Sequence, residues 1–275
     1  MRHVGLTVRM AIVGSLLFAL YALAAGVAML VWGSSVLPLV LVGSVVLIGV
    51  QYKIGKWAAL RSVGAEDMPE DRYPEIHRSV ERLSDDMGID KPRLMVARMG
   101  VPNAFAVGRR GAGTVVVAEE LIQLLDHEEL EGVLAHELSH IDNRDVVVMV
   151  LGQGIASIVG IVAEWVVILS GDNELADLFL GMIVGQIVQM LVMLLVLAIS
   201  RYREYVADAD AADAIGGGDP LARALEKISQ GNERARDSEI DSQVSALCIF
   251  GDGGGIGRLL ASHPPTEKRI ERLRE

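Results

Sequence analysis

Aromatic residues make up only 4% of this 275-residue sequence, although 51% of it is hydrophobic. The apolar mass is therefore aliphatic and small, in Val, Leu, Ile, Ala and Gly, a profile that suits helices packed in lipid. Composition alone still allows a water-soluble aliphatic enzyme; the distribution along the chain decides against it. Cysteine is nearly absent. The single Cys248 excludes an intramolecular disulfide and a cysteine-based metal site, and it reads as a small buried hydrophobe. Any metal must then be held by His and carboxylate. Positive charge is also scarce, with 25 Lys and Arg against 36 Asp and Glu and a net charge of −11. Phosphate contacts need clustered cations, so no nucleic-acid partner is expected. Lysine is the scarcer cation, at positions 53, 56, 91, 227 and 268 only. An acidic, lysine-poor surface suits high salt, and an arginine-favouring coding bias produces the same pattern.

Charge is missing altogether from long runs. Met10 to Trp32 is uncharged, long enough to cross a hydrocarbon core of about 30 Å, and Val36 to Tyr52 follows at once. Arg2 and Arg9 before the first run resemble the start of a signal peptide, but the run is too long and a second follows, so an uncleaved hairpin is expected. The link Gly33-Ser34-Ser35 is uncharged, whereas Lys53, Lys56 and Arg61 follow the second run. The positive-inside rule puts both ends of this hairpin in the cytoplasm. A second pair, Val146 to Ser170 and Leu178 to Ser200, contains no Lys or Arg and is flanked by Arg144 and Arg201. Its acidic connector, Gly171 to Asp177, faces outside on this reading. Gly and Gln within both spans allow close helix approach and amide bonds between helices. Glu164 is the one carboxylate deep in the pair. A polar gate is one reading; a residue near the outer interface or paired with Gln is the favoured one.

The remainder, about 54–145 and 201–275, is separated by an even number of crossings and can build one soluble domain. Pro74 opens a helix with Ile76, Val80, Leu83 and Met87 on one face, and Gly88 ends it. Short strands are expected at Arg93–Ala97, Asn103–Gly108 and Thr114–Ala118, the last two as a hairpin. Asp126-His127-Glu128-Glu129 carries a capping-box signature, and Leu130, Val133, Leu134, Glu137 and Ile141 then share a helical face. Asp219-Pro220 starts another helix, and Pro265 to Glu275 looks like a short last one. Gly251 to Gly257 superficially resembles a phosphate loop, but no strand–loop–helix context or Lys-Ser/Thr follows, so it reads as a flexible loop. His3, His77 and His127 read as surface residues.

The capped helix carries His136-Glu137-Leu138-Ser139-His140. Histidines four apart share a helix face and can reach one Zn²⁺, while Glu137 beside the first can take a proton from an attacking water and pass it to the leaving amine. A catalytic zinc needs a third protein ligand. Glu204 and Asp208 are also four apart, so one carboxylate can bind the metal while the other accepts a hydrogen bond from a ligand His; Glu204 is taken as the ligand. Two spans lie between His140 and Glu204, which returns the ligands to the same side. Two rival classes are a non-catalytic, zinc-containing membrane scaffold or adaptor, and a protease with its His helix inside the bilayer. The complete ligand set argues against the first, and the charged flanks 126–129 and 142–145 against the second.

Asn103-Ala104-Phe105-Ala106, the His136–His140 motif, Arg201 to Asp208 and Ser262-His263-Pro264-Pro265 occur in an order that resembles the HtpX-type membrane zinc metallopeptidases, relatives of the CAAX prenyl endopeptidases. The resemblance spans nearly the whole chain. It implies a mainly α membrane protein with four transmembrane helices and a small α+β gluzincin-like domain. The parts are a hairpin at 1–53, a first catalytic part at 54–145, a second hairpin at 146–200 and a second catalytic part at 201–275. It further implies one zinc per chain, a cytoplasmic catalytic domain on a multi-pass cell-membrane protein, and endoproteolysis of unfolded, damaged or misfolded membrane proteins. In the same frame Asn103 opens an edge strand that can pair with substrate backbone, and His263 can donate to the transition-state oxyanion. Arg269 can orient the substrate or His263. Oligomeric state is not legible.

Overall fold

The computed structural model describes residues 4–172, 175–236 and 264–275. They form two compact units, one of residues 1–54 and 148–199, the other of 55–147 and 200–275.

The first unit is helical. α1 (Val4–Trp32) and α2 (Leu37–Ser62) are joined through a 3-10 turn at Ser34–Val36, and α6 (Asp145–Ser170) and α7 (Leu175–Ile215) supply the rest. All four helices are long and apolar enough to cross a membrane. Their large side chains point outward: Phe18 is 69% and Leu30 86% exposed. Inside, Leu17, Ala156, Val192 and Val196 form a small apolar cluster, and the closest helix contacts are made by glycines and polar side chains. A Cβ on Gly160 would lie 2.9 Å from the Gly185 carbonyl oxygen, and one on Gly185 3.0 Å from the Gly160 carbonyl oxygen, so α6 and α7 meet backbone to backbone. Such contact replaces the hydrophobic drive that lipid removes. Gln189 and Gln51 both donate to Ser157 Oγ, at 3.2 and 3.4 Å, and Tyr21 and Ser44 bond hydroxyl to hydroxyl at 3.1 Å between α1 and α2. Glu164 lies against Gly185 on the same α6–α7 face. Two helices outrun the expected spans. α2 continues to Ser62, and α7 passes without a break from the apolar run through Arg201–Asp208 to Ile215, 41 residues or about 60 Å.

The second unit has a four-stranded sheet in the order β1-β2-β4-β3, from β1 (Glu66–Asp67), β2 (Arg93–Ala97), β3 (Ala104–Val107) and β4 (Thr114–Ala118). β2 and β4 run parallel, and the other pairs are antiparallel. The expected β3–β4 hairpin is present, and β3 is an edge strand of the described sheet. Two elements were not expected, the two-residue β1 and the helix α4 (Glu119–Leu124) that leaves β4 directly. α3 (Pro74–Met87) buries Ile76, Val80 and Leu83 and ends on Gly88 in the left-handed region at φ 67, where the amide returns to the Ser84 and Asp85 carbonyls. α5 (His127–Asp142) starts on a complete capping box: Glu129 N–H donates to Asp126 at 3.0 Å, and Asp126 N–H donates to Glu129 at 3.0 Å. α8 (Asp219–Arg236) crosses α5 where Gly132 leaves no room for a Cβ, which would meet the Leu221 amide nitrogen at 3.1 Å. α9 (Thr266–Leu273) packs on α8. Leu134, Leu138, Leu221, Leu225 and Ile228 join the sheet residues in one core.

Candidate metal centre

α5 and α7 carry the site. The capping box sets where α5 begins, and its apolar side, Leu130, Val133, Leu134, Leu138 and Ile141, is buried in the core. That rotation places His136 and His140 on a face turned to α7. Their Nε2 atoms are 3.2 Å apart; the Glu204 carboxylate lies 3.6 Å from His136 Nε2 and 3.5 Å from His140 Nε2. One ligand atom from each of the three residues falls within 4.8 Å of the others.

The far side of each imidazole is engaged as well. His136 Nδ1 lies 3.0 Å from Asp208 Oδ1, and His140 Nδ1 lies 2.7 Å from Asp145 Oδ2. An ionised carboxylate can only accept, so each Nδ1 carries a proton and each Nε2 is the atom left facing the centre. Both carboxylates are in turn held by buried arginines. Arg269 grips Asp208 with two bonds, 2.9 Å from Nε and 2.6 Å from Nη2, and its Nη1 lies 3.5 Å from Glu204. Its Nη2 is also 3.4 Å from His136 Nε2. Arg203 pairs with Asp145 and donates to the Asn143 carbonyl at 2.9 Å.

Charge balance follows from these contacts. Burial alone would lower the His136 imidazole, but hydrogen bonds to Asp208 and Glu204 outweigh it and raise the group to about 9. For His140 burial again opposes the charge, and Asp145 and Glu204 again win, so its value is raised. Burial would raise Asp208, yet the Arg269 cation and the bond from His136 hold it at about 2. Arg203 goes the other way: its desolvation exceeds what Asp145 returns, and its value is lowered.

Glu137 is buried beside His136 on the same helix. Asn103 is buried, not an exposed turn residue, and its carbonyl accepts from Ala118 N–H at 2.9 Å, extending the β3–β4 ladder by one residue. Arg269 is 1% exposed and turned onto Asp208. His263, Cys248 and the Gly251–Gly257 loop lie outside the described residues. His77, expected at the surface without a partner, is half-buried and bonded to the Met68 carbonyl at 3.0 Å. Sequence reasoning missed Asp145 and Arg203. Asp145 stood out only as one of several charges beyond the helix, and Arg203 only as part of a motif.

Residues 70–275 match peptidase family M48, and this stretch contains every member of the cluster. The chain belongs to peptidase family M48. This M48 chain is 64% identical to a protease HtpX homolog of Halobacterium salinarum over 96% of its own length and 100% of the relative's. It is 35% identical to the protease HtpX homolog of Pyrococcus abyssi over 95% of this chain and 94% of that one. It is 37% identical to protease HtpX homolog 1 of Streptomyces coelicolor over 98% and 91%. Among solved structures, Ste24p of S. mikatae superposes with a TM-score of 0.60 at 20% identity, over 97% of this chain. The chain spans 63% of the length of that protein, and at this identity the likeness shows the fold. The M48 match leaves out the first hairpin, whereas the alignments to the H. salinarum and S. coelicolor relatives cover 96% and 98% of the chain.

Proposed function

We propose that this M48 chain is a membrane zinc endopeptidase that holds one Zn²⁺ through His136, His140 and Glu204 and cleaves unfolded or misfolded membrane proteins. The observation that carries this reading is the convergence of two imidazole Nε2 atoms and a carboxylate on one point. Both Nε2 atoms, 3.2 Å apart, are turned to one point with the Glu204 carboxylate, and a cation placed there takes the place of their protons. Two nitrogens and one oxygen fit zinc with a fourth position left for water. When bound, zinc polarises that water and the scissile carbonyl.

This chain's own residues supply the remaining steps. Glu137 accepts a proton from the attacking water and delivers it to the amine nitrogen as the peptide bond breaks. Its burial keeps it from being dissipated by bulk solvent. His263 donates to the oxyanion of the tetrahedral state. Asn103 and the edge strand β3 offer backbone groups to an extended substrate. Arg269 acts through Asp208, holding the His136 tautomer.

The first hairpin (1–53) and second hairpin (146–200) anchor the protein as a multi-pass component of the cell membrane, and 54–145 and 201–275 make the catalytic part. Arg2, Arg9, Lys53, Lys56, Arg144 and Arg201 all fall on one side, which supports a cytoplasmic catalytic part. Damaged membrane proteins as substrates, and hence a quality-control role, follow from the HtpX resemblance.

Glu137→Gln tests the chemistry. Full-length protein in detergent is expected to keep stoichiometric zinc while casein cleavage falls by at least about 10²–10⁴-fold. Undiminished cleavage in that variant sinks the mechanism. Zinc bound one per chain with no chelator-sensitive cleavage of any unfolded protein favours a scaffold instead. Protease accessibility of 120–145 in right-side-out and inverted vesicles tests the orientation.

A further inference from the structure

The two histidines are held by matching chains, His136–Asp208–Arg269 and His140–Asp145–Arg203. The second contains two residues to which nothing so far gives a role. Asp145 is the first residue of α6, placed under His140 by a turn in which Arg144 takes φ 58, an uncommon conformation for a side chain without local help. Arg203 gives that help. It pairs with the Asp145 carboxylate, donates to the Asn143 carbonyl at 2.9 Å and reaches the Asp145 carbonyl at 3.4 Å, so three acceptors of one turn share one guanidinium. Arg203 is 2% exposed, and a buried cation is costly unless its partners are fixed. It also immediately precedes Glu204 on α7.

We propose that Asp145 and Arg203 are a positioning pair for the metal centre, locking the His140 Nδ1–H so that its Nε2 faces the site, in register with Glu204. Because Arg203 and Glu204 are neighbours on one helix, the contact that orients the second ligand also sets the distance to the third. A planar fork is needed for this; a lysine cannot serve three acceptors in one plane.

The inference rests on His140 being a metal ligand, and the experiment separates the two claims. Full-length Asp145→Asn, Arg203→Gln, Arg203→Lys and the double variant are compared with the parent and with His140→Ala. Zinc affinity is read by chelator competition, ligand geometry by the visible spectrum of the cobalt-substituted protein, and kcat and KM on casein. Asp145→Asn and Arg203→Gln are each expected to weaken zinc binding about 10–100-fold, shift the cobalt spectrum and lower kcat with KM unchanged. The double variant should be no weaker than the worse single one, because the pair acts as a unit. Arg203→Lys should fall between parent and Arg203→Gln. Soluble, cooperatively unfolding single variants that bind zinc within about two-fold of the parent overturn the proposal, as do losses that add in the double variant. Should Asp145→Asn not fold, the two Arg203 variants decide alone. If His140→Ala itself retains zinc, the metal-centre reading has failed; if it loses zinc while the others do not, only the positioning role has.

Discussion

The four-helix unit puts most of its large apolar side chains outside and packs a small aliphatic cluster, glycines and amides inside. The sheet-bearing unit does the reverse with its apolar residues, yet also buries Glu204, Asp208, Arg203 and Arg269. The reversal follows from the solvent each requires. In lipid an exposed Phe18 costs nothing, so helix association relies on close backbone approach and a few hydrogen bonds. In water the second unit gains its stability from apolar burial, and that surplus lets it carry charged groups in fixed pairs. The site therefore belongs to the unit whose packing can hold buried ions in place.

The sharpest way to break this contrast is to truncate one apolar side chain in each unit. Leu83 has no exposed surface and lies on the buried face of α3, so Leu83→Ala should cost about 2–5 kcal/mol. Phe18→Ala removes a larger side chain, but one that is 69% exposed, and should change stability in bilayer-mimicking detergent by less than about 0.5 kcal/mol. Thermal unfolding followed by circular dichroism checks both. Equal losses would mean that the outer face of α1 is covered by protein rather than lipid.

In the membrane unit the vulnerable positions are the empty ones. Gly160 and Gly185 face each other's carbonyl oxygens, and any Cβ there comes within about 3 Å of backbone that cannot yield. Gly185→Val should force α6 and α7 apart, costing about 1–3 kcal/mol. The damage would be confined to the unit if zinc affinity of the folded fraction stays at the parental value, which chelator competition measures. Gly26, with nothing within 4 Å of a built Cβ, is the matched control.

Much of this arrangement was legible in the sequence wherever the determining signal is local. The i, i+4 spacings of His136 and His140 and of Glu204 and Asp208 survive intact, since a helix converts spacing into a shared face without help. The capping box located α5, and short apolar runs bounded by turn residues located β2, β3 and β4. β1 escaped because two residues have no period, and α4 because it continues from β4 with no turn residue between. Asp145 escaped for a different reason. Its approach to His140 depends on the left-handed backbone at Arg144, which no composition rule announces, and on Arg203, which is 58 residues away and paired only in three dimensions. Arg269 was noticed, but its partner depends on how α9 packs.

A modest, pH-dependent effect is expected at the start of α5. Asp126 is exposed, but its carboxylate accepts the Glu129 N–H, and that bond, with help from Lys227 and Arg223, holds it below the ordinary value of 3.8. A carboxyl lowered on folding stabilises the folded state fully above its unfolded value, and the contribution disappears as pH falls through the lower, folded one. Asp126→Ala should therefore cost roughly 1 kcal/mol at neutral pH and progressively less in acid. Asp126→Asn separates the cap from the charge, because an amide oxygen accepts the same bond without titrating. Denaturant unfolding of the three proteins at neutral pH and in acid should show parent and Asn variant close together at neutral pH. In acid the parent should approach the Ala variant while the Asn variant keeps its lead over Ala. A parent that keeps its lead in acid would show that the cap is held by geometry alone and that the acidic first turn of the helix bearing His136 and His140 contributes no charge-dependent stability.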